Sequence, residues 1–282
     1  MHDCFVYTLL DDGTAAITGY RGGETRLVIP PALDGYPVRS IADRAFMDRT
    51  SLLSVVIPDG VTHIGSRAFE NCDALTSAAL PQSVLSIGDH AFDTCISLQS
   101  IALPENLRVL GAGAFSGCWS LQSVSIPSGV KIIREEAFSY CSSLTGVRIQ
   151  DGVEAIEDSA FECCTALQDI ILPSSVTYLG SGVFSECTSL SSVSIASDVR
   201  SIRDYTFKGC SSLHSFAVPQ GVISIGRNAF DLCGNLESVS IPASVSFIGL
   251  HAFDCCKKLV LSAGANAYAQ EYARAHGIAC KA

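Results

Sequence analysis

The chain has 282 residues, of which 48% are hydrophobic and 16% are charged, and this composition excludes a disordered protein because it supplies enough apolar surface to bury a core. Its 18 basic and 28 acidic residues give a formal net charge of −10, which would repel a polyphosphate backbone and so excludes nucleic acid from the expected partners. No apolar stretch reaches membrane-spanning length, so we expect no membrane insertion.

The first predicted element is a β-hairpin at the start of the chain. Residues 5–10 and 14–18 are rich in apolar and β-branched side chains, and the Asp-Asp-Gly sequence at 11–13 between them is typical of a turn. We expect this hairpin to cap the first repeat. Residues 31–37, where later repeats have no counterpart, are predicted to form a loop beside the cap.

A 23-residue repeat occupies most of the chain. Ten phenylalanines recur at intervals of 23 residues with no insertion between them, and a leucine follows each of them after six residues. A cysteine follows the phenylalanine after three residues in every unit except the first, which has Arg49. The phenylalanines are Phe46, Phe69, Phe92, Phe115, Phe138, Phe161, Phe184, Phe207, Phe230 and Phe253, and the cysteines, called the cysteine column below, are Cys72, Cys95, Cys118, Cys141, Cys164, Cys187, Cys210, Cys233 and Cys256.

Each repeat predicts one short strand followed by a second extended segment. Val55 and Ile57 alternate with polar or small neighbours, and Pro58, which cannot donate a ladder hydrogen bond, closes the segment. The remainder of the unit is too short for an average helix, so we expect a turn or a short 3₁₀ segment to carry the Ala-Phe pair. Stacked units then predict a right-handed solenoid of about ten coils with one long parallel sheet.

A helix is predicted at the end of the chain, over residues 265–276, because this segment is rich in helix-forming residues and Gly277 supplies a stop signal. The expected organisation is therefore a hairpin cap at 1–29, a repeat solenoid at 30–261 and a helical cap at 262–282, together forming one continuous domain.

The repeat Leu-x-x-Val-x-Ile-Pro-x-x-Val-x-x-Ile-Gly-x-x-Ala-Phe-x-x-Cys-x-x, read from Leu75, Leu98 and Leu121, resembles the BspA-type (Treponema pallidum type) leucine-rich repeat. The resemblance covers residues 30–261 and extends to the Asp-Gly-Tyr-Pro-Val segment at 34–38 and the Tyr-Ala-x-x-Tyr-Ala segment at 268–273. It implies a leucine-rich repeat solenoid without catalytic residues. It also implies a cell-surface or secreted protein that adheres to host or matrix proteins or to other cells.

A second interpretation is an intracellular or structural scaffold for protein-protein interactions. The first residues lack the basic and then apolar character of a signal peptide, so a cytoplasmic location is the alternative to the cell surface. Nine of the thirteen cysteines form the cysteine column, where a small buried hydrophobe is wanted, and we expect them to be free thiols. Unbridged cysteines fit a reducing compartment.

The residue pattern predicts no catalytic site, metal site or cofactor. The cysteines outside the column lack the CxxC spacing of zinc and redox sites, and the six histidines lie at different repeat positions or on distant coils. The recurrent serines that follow the repeat leucines are interpreted as part of the scaffold rather than as nucleophiles. The cysteines outside the column are Cys4, Cys163, Cys255 and Cys280.

The outward positions of the predicted strands are mostly serine and alanine, except in the middle of the chain. There Arg148, Asp169 and Ile171 provide charged and bulky side chains on adjacent strands, which makes them the first candidates for binding a protein ligand. The alternative is that Arg148 and Asp169 form an exposed ion pair worth less than about 1 kcal/mol. The full set of candidate ligand-binding residues is Arg148, Asp169, Ile171, Ser125, Ser192 and Ser194.

Overall fold

The structure is a computed structural model that describes residues 4–195 and 198–281. The chain winds into stacked coils, and successive coils add strands to two parallel ladders on different faces of a solenoid. The core lies between the ladders and contains the repeat phenylalanines and leucines and the cysteine column. The predicted solenoid is confirmed.

The first ladder is built from the segments that follow the repeat leucines. Its strands are parallel and in register where they pair, so that Ser54 lies beside Ser77 and Val55 beside Ala78. Val55 is buried and Val56 faces outward, which confirms the predicted alternation. The strands are Arg26–Val28, Ser54–Val56, Ser77–Ala79, Ser100–Ile101, Ser123–Ile126, Gly146–Ile149, Asp169–Ile171, Ser192–Ser194, Ser215–Ala217, Ser238–Ser240, Val260–Ser262 and Ala279–Lys281.

The second ladder begins at the N-terminal hairpin. Phe5–Leu9 pairs antiparallel with Ala15–Tyr20 around a turn in which Gly13 has φ 77°, and this hairpin is the one expected from the sequence. The second strand of the hairpin then pairs parallel with the first coil. The other strands of the second ladder are Tyr36–Ile41, His63–Ile64, Ser86–Ile87, Val109–Leu110, Ile132–Ile133, Ala155–Ile156, Tyr178–Leu179, Ser201–Ile202, Ser224–Ile225 and Phe247–Ile248.

The segment predicted as a loop at 31–37 is instead a second, smaller hairpin. Ala32–Leu33 pairs antiparallel with the start of Tyr36–Ile41. Asp34 and Gly35 between the paired residues have φ 50° and 88°, the two positive values that a type I′ hairpin turn requires and that Asp-Gly adopts readily. The loop prediction was wrong because it overlooked this turn signal.

Stacked phenylalanines form the centre of the core. The ring centroids of consecutive repeat phenylalanines lie 5.0 to 5.9 Å apart. Each thiol of the cysteine column donates a hydrogen bond to the carbonyl oxygen of the phenylalanine 26 residues earlier, as Cys141 does to Phe115 at 3.2 Å. The first unit has no such carbonyl on a preceding repeat, and Arg49 there extends over the ring of Tyr20 at 5.7 Å.

The corner that carries each Ala-Phe pair is a turn and not a 3₁₀ segment. The residues two before and two after each phenylalanine have positive φ, such as Glu136 at 55° and Tyr140 at 59°, and left-handed residues interrupt a right-handed 3₁₀ helix. Corner N–H groups donate to carbonyl oxygens of the next coil, for example Phe138 to Ala160 at 2.9 Å. The corners therefore add a third set of hydrogen bonds between coils.

Both ladders are interrupted, so the prediction of one long sheet was wrong. The first ladder is broken between Gly146–Ile149 and Asp169–Ile171 and again between Ser192–Ser194 and Ser215–Ala217. The second ladder is broken after Val109–Leu110 and after Tyr178–Leu179. The phenylalanine rings are also most widely spaced in this middle region, reaching 5.9 Å between Phe161 and Phe184. The repeat length is constant along the sequence, yet the ladders are interrupted and the spacing of the phenylalanine rings varies.

The breaks in the second ladder occur where a repeat lacks the glycine that normally follows its second-ladder strand. Each coil places this residue against the backbone of the preceding coil, and a Cβ atom on Gly111 would lie 2.4 Å from the Asp89 nitrogen. Arg134 and Arg203 occupy the same position directly after the two breaks. Glu157 also occupies it, yet its N–H still bonds to Ile133 at 2.8 Å. A side chain here loosens the contact between coils without always breaking it.

Replacing Gly111 by alanine should lower the free energy of unfolding by about 1 to 3 kcal/mol, because the added carbon would press on backbone atoms that cannot rotate away. The matched control is Gly234→Ala, where an added Cβ meets no atom within 4 Å and where we expect no loss of stability. Urea unfolding of both variants measures the difference. Equal stability of the two variants would contradict the close packing at Gly111.

The C-terminal helix spans Ala267–Ala275 and covers the last coil, which confirms the predicted helical cap. The Asn266 side chain accepts a hydrogen bond from the Ala269 N–H and donates to the carbonyl oxygens of Pro242 and Val245, both at 2.8 Å. Gly277, just after the helix, has φ 67°, the left-handed conformation in which glycine commonly ends a helix. Within the part of the chain that the structure describes, no helix has the length and apolarity needed to cross a membrane.

Candidate ligand-binding cleft on the first ladder

The six candidate residues predicted from the sequence lie together on the outward face of the first ladder. Ser125 is in register with Arg148 on the next coil, while Asp169 and Ile171 are in register with Ser192 and Ser194. All six side chains are exposed. They cover four consecutive coils and form one continuous surface.

A shallow cleft of about 700 Å³ lies on this surface at the first break in the ladder. The strands Gly146–Ile149 and Asp169–Ile171 on its two sides are not hydrogen-bonded to each other, although their Cα atoms approach within 8 Å. Each strand therefore turns an unpaired backbone edge toward the opening. The lining residues are Val147, Arg148, Ile149, Gln150, Asp151, Asp169, Ile171 and Pro173.

Gln150 departs from the repeat at the position of the cleft. It stands where neighbouring units have proline, and its N–H donates to the Ile126 carbonyl oxygen at 3.0 Å, a bond that proline cannot make. Its side chain accepts from the Ser128 N–H at 3.2 Å and donates to the Glu105 carboxylate at 3.2 and 3.3 Å. These bonds tie Gln150 to the two preceding coils.

The charged groups at the cleft are free to meet a ligand. Among the described residues, four ion pairs join Lys or Arg to a carboxylate and two further contacts join His to Asp, and neither Arg148 nor Asp169 takes part in any of them. The ion pair considered from the sequence is therefore not formed. Ile171 is 70% exposed, so an apolar side chain stands beside an unpaired guanidinium group and an unpaired carboxylate.

The width of the opening limits what can enter it. A strand inserted between two others would hold them roughly 9.6 Å apart, twice the spacing of neighbouring strands, and the separation across the cleft is smaller than this. A partner would therefore enter with side chains. Arg148 offers a planar fork for a carboxylate, Asp169 accepts from N–H or O–H donors, and Ile171 supplies apolar contact.

Sequence reasoning missed five of the eight lining residues: Val147, Ile149, Gln150, Asp151 and Pro173. Gln150 carried a visible signal, because it replaces the proline that closes the strand in the neighbouring units. Val147 carried none, because its partial exposure follows from the break and not from its residue type. Asp151 adds a second carboxylate to the rim of the cleft.

The thiols of the cysteine column are poor nucleophiles. Burial raises the pKa of the Cys118 and Cys141 thiols well above the usual range, and the thiolate is the reactive form. Each of these S–H groups is also engaged with a phenylalanine carbonyl oxygen. In residues 4–195 and 198–281, no group of three or more His, Cys, Asp or Glu side chains is arranged to hold a metal ion.

Comparison with known proteins identifies the repeat. The sequence model of the BspA type leucine rich repeat region matches residues 34–145 and 131–260, with six copies. No curated protein matches the chain.

Several solved structures resemble the chain over nearly its whole length. A leucine rich cell surface protein from Faecalibacterium prausnitzii A2-165 is 29% identical with a TM-score of 0.54, and the match covers 96% of this chain and 95% of that chain. A leucine-rich repeat protein from Bacteroides ovatus is 25% identical with a TM-score of 0.39, covering 98% and 97%. A leucine rich repeat protein of T. pallidum is 25% identical with a TM-score of 0.41, covering 99% and 96%.

Proposed function

Because the chain belongs to the BspA-type leucine-rich repeat family, we propose that it is a non-enzymatic adhesion protein, at the cell surface or secreted, that binds host or matrix proteins or other cells. The observation that carries this proposal is the cleft, where Arg148, Asp169 and Ile171 are exposed, the two charged groups are unpaired, and most of the surrounding face is serine and alanine. The similar protein from F. prausnitzii is described as a cell surface protein, which supports the location.

Changing Arg148, Asp169 and Ile171 together to serine should strongly weaken binding to the protein ligand. A hot-spot residue near the centre of an interface costs about 2 kcal/mol or more when truncated, so removal of all three should lower the affinity by at least roughly 100-fold. The measurement is binding of the purified chain to an array of extracellular matrix proteins. A matched control changes Arg200, Asp59 and Leu250 to serine, because these exposed side chains of the same types lie outside the cleft.

The outcomes of this array separate the alternatives. Binding that is lost in the cleft variant and kept in the control variant supports adhesion through the first ladder. Binding that is unchanged in both variants places the site on another face. If the native chain binds no matrix protein, the adhesion proposal fails.

The second candidate function is an intracellular scaffold for protein-protein interactions. All thirteen cysteines are free in the structure, and unbridged cysteines are typical of reducing compartments. The codons upstream in the complete gene discriminate between the two functions. An encoded export signal supports adhesion, and a gene that encodes none supports the scaffold.

A further inference from the structure

The first strand of the N-terminal hairpin is the outermost strand of the second ladder. Phe5–Leu9 pairs with Ala15–Tyr20 on one side, and on its other side no strand among the described residues is bonded to it. It therefore presents a free edge of five residues at the N-terminal end of the solenoid. A free edge of this kind is a template on which another strand can pair.

The hydrogen bonds of the hairpin determine which backbone groups lie on the free edge. The Leu10 N–H donates to the Thr14 carbonyl oxygen, and the Arg21 N–H donates to the Cys4 carbonyl oxygen, both at 2.8 Å. In an antiparallel pair, residues that bond to the neighbouring strand alternate with residues whose backbone groups point away from it. The register shift of the hairpin skips Thr18 on the second strand, so the alternation along the first strand is unbroken. The residues whose N–H and C=O groups point outward are Phe5, Tyr7 and Leu9.

The edge strand carries neither of the residue types that most simply protect a free edge. Proteins commonly place a charged side chain or a proline on such a strand. Residues 5–10 contain no charge and no proline, and four of the six are β-branched or aromatic. Leu9 and Leu10 at the end of the strand are 48% and 40% exposed. The free strand at the opposite end of the solenoid, Ala279–Lys281, does carry a lysine.

The pattern of outward groups indicates which partner fits the edge. The three outward residues are spaced evenly around Tyr7, so the set is complementary to itself across a two-fold axis. In the antiparallel register centred on Tyr7, Phe5 of one copy lies opposite Leu9 of the other, and each opposed pair exchanges two hydrogen bonds. Every outward N–H and C=O group of both strands is then paired. A second copy of this chain therefore satisfies the whole edge.

The side chains of the strand agree with this register. Pairing places the exposed Leu9 of each copy across from Phe5 of the other, and apolar cross-strand pairs of this kind stabilise a sheet. The Tyr7 hydroxyl donates to the Asp34 carboxylate at 2.6 Å. Asp34 belongs to the small hairpin, which the sheet order puts beyond the second strand of the N-terminal hairpin, so the Tyr7 side chain reaches away from the free edge. Each copy has a formal net charge of −10, but the paired strands themselves bring no charges together.

We propose that two copies of this chain form a dimer through their edge strands Phe5–Leu9, paired antiparallel about a two-fold axis at Tyr7. The second ladder continues from one copy into the other, and the two solenoids meet at their N-terminal ends. The cleft lies several coils away, between Gly146–Ile149 and Asp169–Ile171, so it stays open in both copies. The dimer does not depend on the adhesion function proposed above.

Sedimentation velocity of the full chain tests the dimer, with a reductant present to exclude intermolecular disulfides. Across the micromolar range the weight-average mass should rise from that of one copy to that of two copies and no further, because a two-fold contact closes on itself. Leu9→Lys should weaken the association at least tenfold, since it places a charge in the paired edge. Leu250→Lys is the matched control, because Leu250 is 71% exposed and lies in the last repeat, at the other end of the solenoid. It should associate as the native chain does.

Amide hydrogen exchange locates the interface in the unaltered chain. The N–H groups of Phe5, Tyr7 and Leu9 should exchange at least tenfold more slowly where the dimer predominates than where the monomer predominates. Those of Ala279–Lys281 should exchange at the same rate in both conditions. The proposal is overturned if the chain stays monomeric or forms assemblies larger than two copies, or if the edge-strand amides exchange at the same rate in both conditions. It is also overturned if Leu9→Lys, shown by thermal unfolding to be folded, associates as tightly as the native chain.

Discussion

Above about pH 9 the protein is expected to unfold over a narrow pH range, because free thiols ionise near pH 8.5 while those in the core cannot. Burial raises the pKa of seven thiols of the cysteine column: Cys95, Cys118, Cys141, Cys164, Cys210, Cys233 and Cys256. Below the ordinary thiol pKa both the folded and the unfolded chain are protonated, so these groups leave stability unchanged there.

Above that pKa the unfolded chain releases protons that the folded chain retains. Each such thiol then lowers the free energy of unfolding by up to about 1.4 kcal/mol per pH unit. Seven of them together remove on the order of 10 kcal/mol per pH unit, against a total of about 5 to 15 kcal/mol for a typical folded domain. Stability is therefore lost as pH rises, and the transition should be complete within one or two pH units.

Circular dichroism measured against pH, at constant ionic strength and with a reductant present, gives the transition. Changing Cys118, Cys141 and Cys164 to alanine should reduce the slope of stability against pH by about 4 kcal/mol per pH unit, even if these variants are less stable at neutral pH. Changing the exposed Cys255 and Cys280 should leave the slope unchanged. The same slope in the triple variant and the native chain would assign alkaline unfolding to other groups.

The sequence predicted the features that depend on local patterns. The alternation of apolar with polar or small residues around Val55 predicted the first-ladder strands, and the turn sequence at 11–13 predicted the N-terminal hairpin. Helix formers followed by Gly277 located the terminal helix within two residues of its observed start at Ala267. Each of these features is decided by residues close together in the chain, so one sequence is enough to read it.

The interruptions of the ladders required knowledge of contacts between coils. Arg134 and Arg203 are visible as exceptions to a glycine position, but the consequence follows only from the 2.4 Å approach that glycine permits. Gln150 is likewise visible as an exception to proline. Its hydrogen bond to Ile126 is a contact between coils, which the repeat spacing alone does not reveal.

The candidate site likewise has a part that the sequence predicts and a part that it does not. Arg148, Asp169 and Ile171 were predictable because strand alternation places them outward and the constant repeat spacing makes them neighbours. The opening between them was not predictable.

Truncating Phe138 to alanine should lower the free energy of unfolding by about 3 to 5 kcal/mol, the usual range for a buried aromatic residue. Its side chain is fully buried, and its ring centroid lies 5.6 Å from that of Phe115 and 5.5 Å from that of Phe161. The substitution therefore leaves a cavity shared by three coils. Urea unfolding monitored by circular dichroism measures the loss.

Phe247→Ala is the control, because that side chain is 55% exposed and should cost less than about 1 kcal/mol. A loss below about 1 kcal/mol for Phe138→Ala would mean that the phenylalanine is not part of the core. The steepness of the urea transition reports whether the two halves of the solenoid unfold together. Stability in a repeat protein comes from contacts between neighbouring units, so a cavity at a central coil weakens the coupling between the two halves. A shallower transition in Phe138→Ala than in the control would show the halves unfolding separately.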